Sequence, residues 1–340
     1  MTAFKNNPSP SAPKPVSSAV DHFTGVDVAK ESLVAWMLPV DKSRVFPNTP
    51  TGHGEFIAWL QPFAPQKIML EATGGYEQEL LWALLEAGLP AIRVNPRQTH
   101  HARQMLSQHD KTDLADAAVL AWMAEHMQLR TPPPPSQKLT ELRDLVSRRA
   151  QLVKMRTAEK NRKKQCRLEV EELSLKRHMK FLKQEIQTLE AAIGKLVQAD
   201  DEWNQTAALL RSIPGVGPTT SHVLIAELPE LGQANRAEIT ALAGLAPRAV
   251  QSGPYDGPRH IRGGRAPVRT ALYMATVCAL RCNSVIKGYY AHLRKQGKKA
   301  KVALTACMRK LLIILNSILK AGQPWRPALA NTPPGTPEKG

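Results

Sequence analysis

The sequence predicts an α/β domain in the first third of the chain and a mainly helical region after it. Short apolar runs alternate with segments of helical spacing between residues 22 and 127. The four-proline run Pro132–Pro135 then interrupts the chain, since it cannot continue a helix and forms a stiff extended spacer. Beyond it, apolar residues recur at helical spacing. The 340 residues suffice for two domains joined by an elongated element.

The elements of the first domain follow from runs of β-branched and apolar residues and from helical periodicity. Five segments are predicted to be strands: His22–Ala29, Ser32–Leu38, Arg44–Asn48, Lys67–Glu71 and Ala91–Asn95. Three are predicted to be helices: one starting at Gly54–Leu60, Tyr76–Ala87 closed by Gly88, and Asp113–Met127. Strands first, then alternation with helices, indicate a mixed sheet with helices on its faces.

The region after the prolines is predicted to be helical almost throughout. Leu139–Val197 contains no proline and one glycine, and its apolar stripes fit an antiparallel helical hairpin or a coiled coil. Leu209–Lys320 is predicted to be helical with loops. The expected organisation is a disordered leader (1–20), the α/β domain (21–131), the basic helical hairpin or coiled coil (136–200), a C-terminal domain (205–322) and a disordered tail (323–340).

The charge balance indicates a polyanionic partner. There are 46 Lys and Arg against 29 Asp and Glu, a formal charge of +17, and neutralising phosphates drives nucleic-acid binding. An anionic membrane surface is the weaker alternative, because the basic residues lie in separate blocks. No apolar run is expected to be long enough to cross a bilayer. The four cysteines show no zinc-site spacing and indicate free thiols in a reducing cytoplasm.

Two segments are strongly basic. Residues 148–167 contain one acid, Glu159, and residues 257–310 contain none. A solvated helix face usually mixes both signs of charge, so nucleic-acid contact is the favoured interpretation. The predicted contacts are Arg148, Arg149, Arg156, Lys160, Arg162, Lys163, Lys164, Arg259, Arg262, Arg265, Arg269, Lys298, Lys299, Lys301, Arg309 and Lys310.

The turn Ile213–Pro218 precedes an apolar helix predicted at Ser221–Leu228. Its glycines would expose backbone N–H groups at a helix N-terminus, where a phosphate can bind. An ordinary joint between two helices explains the glycines equally well.

Four carboxylates stand out in the first domain. Asp27 lies in an apolar strand, where an ionised group is costly unless it is paired or binds a metal. Glu71 ends another apolar strand, and Asp113 and Asp116 share one face at the start of a helix. Taken singly, the last two are explained by the helix dipole or a cap, Glu71 by a surface strand end, and Asp27 by a buried hydrogen bond.

Taken together, the four acids predict a magnesium site for phosphodiester chemistry. Carboxylate oxygens suit Mg²⁺, and a pair of ions stabilises both the attacking and the leaving oxygen of an in-line displacement. The order of the acids, on the first strand, on a later strand and on a closing helix, matches the ribonuclease-H-like fold.

At these residues the sequence resembles the DEDD transposases of insertion sequences, a family known for recombination guided by a bridge RNA. The matching segments occur in order from residue 22 to 320. They are Gly25–Lys30, Leu70–Tyr76, Lys111–Ala117, Ile213–Gly217, Gly244–Pro247, Ser252-Gly253 and Arg309–Leu312.

The resemblance implies a resolvase-like catalytic domain, a coiled-coil linker and a C-terminal transposase domain with a serine nucleophile. The matching serine is Ser252, although a Ser-Gly pair in a polar loop is ordinarily a turn. The resemblance further implies donor and target DNA read by a structured RNA, a homo-oligomer (dimer or tetramer) and a bacterial cytoplasmic, nucleoid-associated protein.

Two alternatives remain open at this point. In a metal-dependent junction-resolving nuclease, water attacks the phosphate and Ser252 is only a turn residue. A non-catalytic nucleic-acid-binding scaffold would not need the four acids, which weaken a purely binding surface.

Overall fold

The computed structural model describes residues 20–108, 112–128, 136–252 and 255–326. The expected leader up to residue 19, the run Pro132–Pro135 and the tail beyond residue 326 lie outside the described residues. The chain divides into two compact units, residues 1–134 and 135–340.

The first unit is built on a five-stranded mixed sheet. Its strands are β1 (Phe23–Val28), β2 (Ser32–Leu38), β3 (Lys42–Pro47), β4 (Lys67–Glu71) and β5 (Ala91–Val94). They are ordered β3-β2-β1-β4-β5, so β1 is central. Strand β2 runs antiparallel to β1 and β3, whereas β1, β4 and β5 are parallel. This is the ribonuclease-H-like arrangement that the sequence predicts.

Helices cover both faces of this sheet, because its strands are apolar on both sides. They are α1 (Pro50–Leu60), α2 (Gln78–Glu86), α3 (Pro96–Met105) and α4 (Asp113–His126). Val26 and Val28 of β1 belong to the core that α1 and α2 close on one face. Met69 of β4 belongs to the second core, which α3 and α4 close on the other. The result is a three-layer α/β/α unit.

Helix α3 is absent from the sequence prediction, in which Pro96 ends a strand. Pro96 is instead the first residue of α3, where its missing N–H is of no consequence. The Asn95 side chain caps the helix, and the Gln98 side chain accepts in return from the Asn95 backbone N–H. This capping box is a sequence signal from which the helix could have been predicted.

The second unit begins with a helical hairpin of α5 (Gln137–Lys163) and α6 (Glu169–Gln198). The two arms are antiparallel: Lys163 pairs with Glu172 near the turn, and Arg149 pairs with Glu190 farther from it. Leu152, Leu182 and Ile186 form an apolar seam between the arms. Toward the open end of the hairpin, Leu142 and Ile193 join the main core of the unit.

The remainder of the second unit packs around that core. It comprises α7 (Asp201–Arg211), α8 (Pro218–Glu227), α9 (Arg236–Leu242), β6 (Pro247–Ser252), β7 (Tyr255–Ile261), α10 (Ala266–Cys282), α11 (Ser284–Lys295) and α12 (Ala300–Ala321). The antiparallel β6–β7 hairpin was not predicted; the sequence favoured a polar loop there.

Helix α12 corrects the expectation that no segment is long and apolar enough to cross a bilayer, because Ala300–Ala321 meets both criteria. In the second unit this helix lies in the core: Cys307, Leu311, Leu312 and Leu315 are fully buried. Burial within the protein therefore accounts for its apolar character.

Candidate active site

Asp27 faces helix α4 because of the pleat of β1. Gly25, two residues earlier and on the same face, is in direct contact with the α4 backbone. A Cβ at Gly25 would lie 2.1 Å from the Ala117 carbonyl oxygen and 2.2 Å from the Ala121 nitrogen. The absent side chain thus allows α4 to pack directly on β1. Asp27 then points toward the N-terminal turn of α4.

Glu71 is brought beside Asp27 by the parallel pairing of β1 and β4. Val26 pairs with Leu70 in this register, and the next residue along each strand is Asp27 and Glu71 respectively. Paired residues of parallel strands project to the same face, so the two carboxylates lie at the same edge of the sheet.

Asp113 is the first residue of α4 and is exposed. The N-cap is Thr112, whose hydroxyl accepts from the Ala115 N–H, so Asp113 is not needed as the cap. Burial and the nearby Asp113 and Glu71 carboxylates raise the pKa of Asp27 from its usual 3.8 to about 6. The Val28 backbone N–H and the Arg103 guanidinium oppose that rise in pKa. Asp27 therefore lies close enough to two of the other predicted acids to be repelled by both.

Asp116 has a different environment from the other three acids. It is half-buried and forms an ion pair with Arg103 of α3. Arg103 is absent from the residues predicted from sequence because α3 itself was missed. Arg103 also acts on Asp27 through space, which makes it the cation most directly linked to the acid cluster.

The acids fit a divalent cation in chemistry, although they are not closed around one. Among the described residues, no three His, Cys, Asp or Glu groups form a ready-made metal-ligand cluster. The donors available are hard carboxylate oxygens, which suit Mg²⁺. The repulsion of Asp27 by Glu71 and Asp113 is the kind of electrostatic strain that a bound cation relieves.

The loops that follow β1 and β4 are joined by one side chain. The Asn48 amide donates to the Ala29 carbonyl at 2.9 Å and to the Tyr76 carbonyl at 3.2 Å. The Asn48 oxygen lies 2.7 Å from Nε2 of the buried His53, which donates to it as the neutral tautomer. Burial lowers the pKa of His53, with Glu79 acting in the opposite direction. Asn48 and His53 thus fix the strand ends that carry Asp27 and Glu71.

A buried acid also shapes the loop after Glu71. Glu77 is 2% exposed and accepts from the backbone N–H groups of Thr73 and Gly75. Arg93 neutralises it across a 3.2 Å ion pair. Neither Glu77 nor Asn48 is recognisable from sequence spacing, since both act on backbone groups that only the fold brings near.

Ser252 is the last residue of β6 and pairs in register with Tyr255 of β7. It therefore lies at the closed end of the β-hairpin and not in a long loop. The two ends of this hairpin meet at glycines: a Cβ at Gly244, whose φ is +68°, would lie 2.2 Å from the Gly263 carbonyl oxygen. Glycine at 244, a position of the matching Gly244–Pro247 segment, is thus required by close backbone approach and left-handed geometry.

The basic hairpin of α5 and α6 divides into paired and unpaired cations. Arg149, Arg162 and Lys163 pair with Glu190, Glu159 and Glu172 respectively, and Arg148 donates to Gln151. The pairs of Arg149 and Lys163 join the two arms, whereas the contacts of Arg162 and Arg148 lie within α5. A cleft of about 680 Å³ near its turn is lined by Arg156, Lys160, Lys163 and Lys164 from α5, and by Met179, Lys180 and Lys183 from α6. The α6 lysines were not predicted, because the sequence gives no arm-to-arm register.

Two of the predicted nucleic-acid contacts in the C-terminal region have partners within the protein. Arg265 forms a bidentate ion pair with Glu230, at 2.6 Å for both bonds, and Arg269 donates to the Gly263 carbonyl. Both hold the start of α10 to neighbouring loops. Arg259, Lys301, Arg309 and Lys310 instead line a cleft beside β7 and α12, whereas Arg262, Lys298 and Lys299 are exposed.

The turn before α8 gives mixed support to phosphate binding. Helix α8 begins after Gly217, which has no side-chain cap. The same turn packs closely on α10, since a Cβ at Gly215 would lie 2.7 Å from backbone atoms of Ala279. Tight packing therefore accounts for one of its glycines.

Comparisons with known proteins place the chain among transposases. A transposase model of the DEDD type matches residues 24–169, and a model of the transposase IS116/IS110/IS902 family matches residues 207–291. Together the two matches span more than half of the chain, and they contain Asp27, Glu71, Asp113, Asp116 and Ser252.

Relatives with similar sequences are named for inverting a gene or as a transposase. The pilin gene-inverting protein of Moraxella bovis is 27% identical over 317 residues, 89% of this chain and 97% of that protein. Its Moraxella lacunata namesake matches to the same extent, at 27% over 317 residues. A putative transposase of Sinorhizobium fredii is 31% identical over 151 residues, 42% of this chain and 37% of that protein.

Among solved structures, RuvC of T. thermophilus in complex with a Holliday junction substrate matches 30% of this chain and 90% of its own, at 20% identity and a TM-score of 0.24. The DEDD family generally uses divalent metal ions. On the two family matches and the full-length relatives, this chain belongs to the IS110-type DEDD transposases and is a DNA transposase or recombinase.

Proposed function

We propose that this transposase cleaves and exchanges DNA strands at a magnesium site formed by Asp27, Glu71, Asp113 and Asp116. The observation that carries the proposal is the convergence of Asp27, Glu71 and Asp113 at one edge of the sheet, where burial and then the Asp113 and Glu71 carboxylates raise the pKa of Asp27. Bound by these carboxylates, two ions would supply the positive charge that stabilises the attacking and leaving oxygens of an in-line displacement. Asp116 would join the metal ligands either by exchanging Arg103 for a metal ion or by binding both.

Ser252 is proposed as the nucleophile. Its oxygen forms a bond to phosphorus while the bond from phosphorus to a deoxyribose oxygen breaks. The serine proton passes to a base or to solvent, and the leaving oxygen departs with the bonding electrons and gains a proton. The same displacement in reverse, by the hydroxyl of the other strand, rejoins the DNA without external energy. This role rests on the family resemblance, and the position of Ser252 at the end of a β-hairpin supports it.

The nucleic-acid partners are proposed as donor and target DNA together with a structured guide RNA. The concentration of cations along the α5–α6 cleft and along the cleft beside α12 supports binding to phosphate backbones. Few aromatic residues are available for stacking, which fits a division in which the RNA reads sequence and the protein holds backbones. A dimer or tetramer acting in the bacterial cytoplasm, at the nucleoid, completes the proposal.

A covalent-adduct assay tests the serine. Purified protein is incubated with end-labelled DNA and Mg²⁺, denatured and resolved by electrophoresis. We expect a labelled protein band for the wild type, its loss in Ser252→Ala, and its loss in Asp27→Asn. The matched control is Ser284→Ala, an exposed serine at the start of α11, which should form the adduct as the wild type does. Cleavage that yields no adduct and persists in Ser252→Ala would establish water as the nucleophile instead.

A plasmid recombination assay tests the guide RNA. Donor and target plasmids are mixed with protein, with and without RNA transcribed from the flanks of the element. Recombination that depends on the RNA, and that moves to a new site when the RNA is changed, is the expected result. Equal recombination without RNA would contradict the guided mechanism while leaving the transposase assignment intact.

A further inference from the structure

The second unit contains another cleft, which is lined by several apolar side chains and an aromatic ring as well as cations, unlike the basic α5–α6 cleft. It has a volume of about 720 Å³ and lies between β7 and helices α9, α11 and α12. That volume is within the range of about 300–1,000 Å³ found for pockets that enclose small organic ligands. Its surface includes apolar side chains such as Leu245, Ile261 and Ile313, and one aromatic ring, Tyr289.

Five cations line the cleft together with these apolar residues, which are called its apolar floor below. The cations are Arg236, Arg259, Lys301, Arg309 and Lys310. None of the described residues that line the cleft is acidic, and none of these five cations forms an ion pair with an acid in the described part of the chain. Such a concentration of unneutralised charge indicates an anionic ligand.

Two details indicate where that ligand sits. The Nε atom of Arg309 is buried and has no hydrogen-bond partner among the described residues, so the hydrogen-bonding capacity of this guanidinium is not fully used within the described part of the chain. The Lys310 ammonium lies 4.6 Å from the centre of the Tyr289 ring. Aromatic surface and positive charge are therefore adjacent, as a base and its phosphate are in a nucleotide.

We propose that this cleft binds one unpaired nucleotide of the nucleic-acid substrate, with its base on the apolar floor beside Tyr289 and its phosphate at Arg309 and Lys310. Such a pocket holds a base that has left its stack, and a bulged or unpaired base enters most readily because no base pair must be broken. The inference rests on the proposed function and deepens it by assigning a binding mode to the C-terminal cations.

The position of the cleft along the β6–β7 hairpin fits this role. The cleft is lined by His260, which pairs with Arg248 at the base of the hairpin, whereas Ser252 lies at its closed end. Ser252 is four residue steps along the strand from Arg248, a distance of roughly 13 Å at about 3.3 Å per residue. On a stacked strand that distance corresponds to about four nucleotides. An extruded base in the cleft would therefore anchor the strand a few nucleotides from Ser252.

Binding to bulged and fully paired duplexes tests the proposal. Fluorescence polarisation is measured with the full-length protein and two labelled DNA duplexes that differ by one unpaired nucleotide, and with the corresponding RNA duplexes. We expect the wild type to bind a bulged duplex about tenfold more tightly than its paired counterpart, the preference expected from stacking one base. The DNA and RNA pairs show which nucleic acid supplies the nucleotide.

Variants that alter the cleft, compared with one outside it, identify the cleft as the source of the preference. Ala306→Phe fills the cleft without changing charge and should reduce the preference to about onefold, with binding to the paired duplex within about twofold of the wild type. Arg281→Met, an exposed position on α10 outside the cleft lining, should leave the ratio unchanged. Tyr289→Leu, with folding checked by circular dichroism, gives a second reading if Ala306→Phe does not fold.

An unchanged preference in a folded Ala306→Phe or Tyr289→Leu protein, or equal wild-type binding to bulged and paired duplexes, would overturn the proposal. The proposed function fails in a different assay: absence of the Ser252 adduct or of recombination leaves bulge preference untouched. The two failures are therefore distinguishable.

Discussion

Asp27 destabilises the metal-free fold while being essential to the proposed chemistry. With a folded-state pKa of about 6, it is mostly ionised at pH 7, in surroundings that disfavour its charge. The penalty in folding free energy is on the order of 1 kcal/mol after allowance for solvent screening at this partly exposed group. A carboxylate whose ionised form carries such a cost has the electrostatics expected of a metal ligand.

Asp27→Asn should therefore raise the thermal midpoint of unfolding at pH 7 without added metal, while abolishing DNA cleavage. Mg²⁺ should raise the midpoint of the wild type and not that of the variant, because binding to the folded state alone is stabilising. Glu55→Gln, an exposed acid on α1, is the control and should behave as the wild type does. Equal Mg²⁺ responses of wild type and Asp27→Asn would contradict the assignment of Asp27.

His53 gives the first unit a stability that depends on pH. Burial keeps its folded-state pKa below the usual 6.5, so the unfolded chain binds more protons just below pH 6.5. Stability should therefore fall as pH falls from about 6.5 toward the lowered pKa. Thermal unfolding at pH 7.5 and 5.5 measures this; we expect a smaller difference in His53→Gln, whose neutral side chain removes this proton uptake. An equal change in the thermal midpoint between the two pH values for wild type and His53→Gln would disprove this role of His53.

Single residues also mark the limit of sequence reasoning. Asp27 could be identified because a charge in an apolar strand is anomalous, and Glu71 because it ends one. Arg103, Asn48 and Glu77 could not, since their partners are distant in sequence or lie in loops that only the fold brings together. For the same reason the pairing of Arg265 with Glu230 was not visible in a segment that contains no acid of its own.

At the scale of elements, the contact between β1 and α4 is what assembles the candidate site. Gly25→Ala would force a methyl group against the α4 backbone, at 2.1 Å from the Ala117 oxygen. We expect a loss of about 1–3 kcal/mol in the free energy of unfolding, or more, together with loss of cleavage. Denaturant titration provides the measurement.

The control for that change is Gly54→Ala in α1. A Cβ there would meet nothing within 4 Å, and alanine favours a helix over glycine by roughly 0.5–1 kcal/mol. This variant should be neutral or slightly more stable, with full activity. Equal destabilisation by both substitutions would show that the β1–α4 contact is not critical.

The α5–α6 hairpin is an element whose exposed cations have a measurable signature. Lys160→Gln removes one charge from the basic cleft near the turn. It should make the slope of log affinity against log salt shallower by about 0.9 for each duplex-DNA phosphate that the variant no longer neutralises. Lys195→Gln, an exposed lysine near the other end of α6, should leave the slope unchanged. Equal slopes for Lys160→Gln and wild type would remove this cleft from the DNA interface.

Elements were predictable where periodicity or β-propensity was strong. Strands β2 and β4 were predicted with their observed bounds, and α4 to within one residue. The hairpin of β6 and β7 was missed because Pro247, Gly257 and Pro258 disfavour strands. Its pairing depends on glycine contacts at its base that are not apparent in the local sequence.

For the whole molecule, the proposed oligomer predicts complementation between inactive variants. If the serine of one subunit acts with the carboxylates of another, mixing Asp27→Asn with Ser252→Ala protein restores about a quarter to a half of recombination, because some mixed assemblies contain a wild-type pair. The recombination assay on co-expressed, co-purified subunits measures this. Activity no higher than that of either variant alone would contradict a site shared between subunits.

At this scale the sequence predicted the α/β first unit, the helical second unit and the class of enzyme. The ordered motifs carried the family resemblance, and composition carried the nucleic-acid prediction. What composition could not show is how the cations are distributed between internal ion pairs and open clefts. That distribution depends on arm-to-arm register and tertiary packing.

Helix α4 is held at several points along its length. Lys67 holds its C-terminal end through the carbonyl oxygens of Ala124 and Met127, and Gly25 supports its middle. Asp113 lies about 6 Å along the helix axis from Ala117, where Gly25 makes its contact, at about 1.5 Å per residue. Between them, Asp116 is held by its ion pair with Arg103. If Asp116 exchanges Arg103 for a cation, as the proposed function allows, the first turn would gain freedom while Gly25 and Lys67 still hold the rest of the helix. The acids could then adjust to the cation without loosening the sheet.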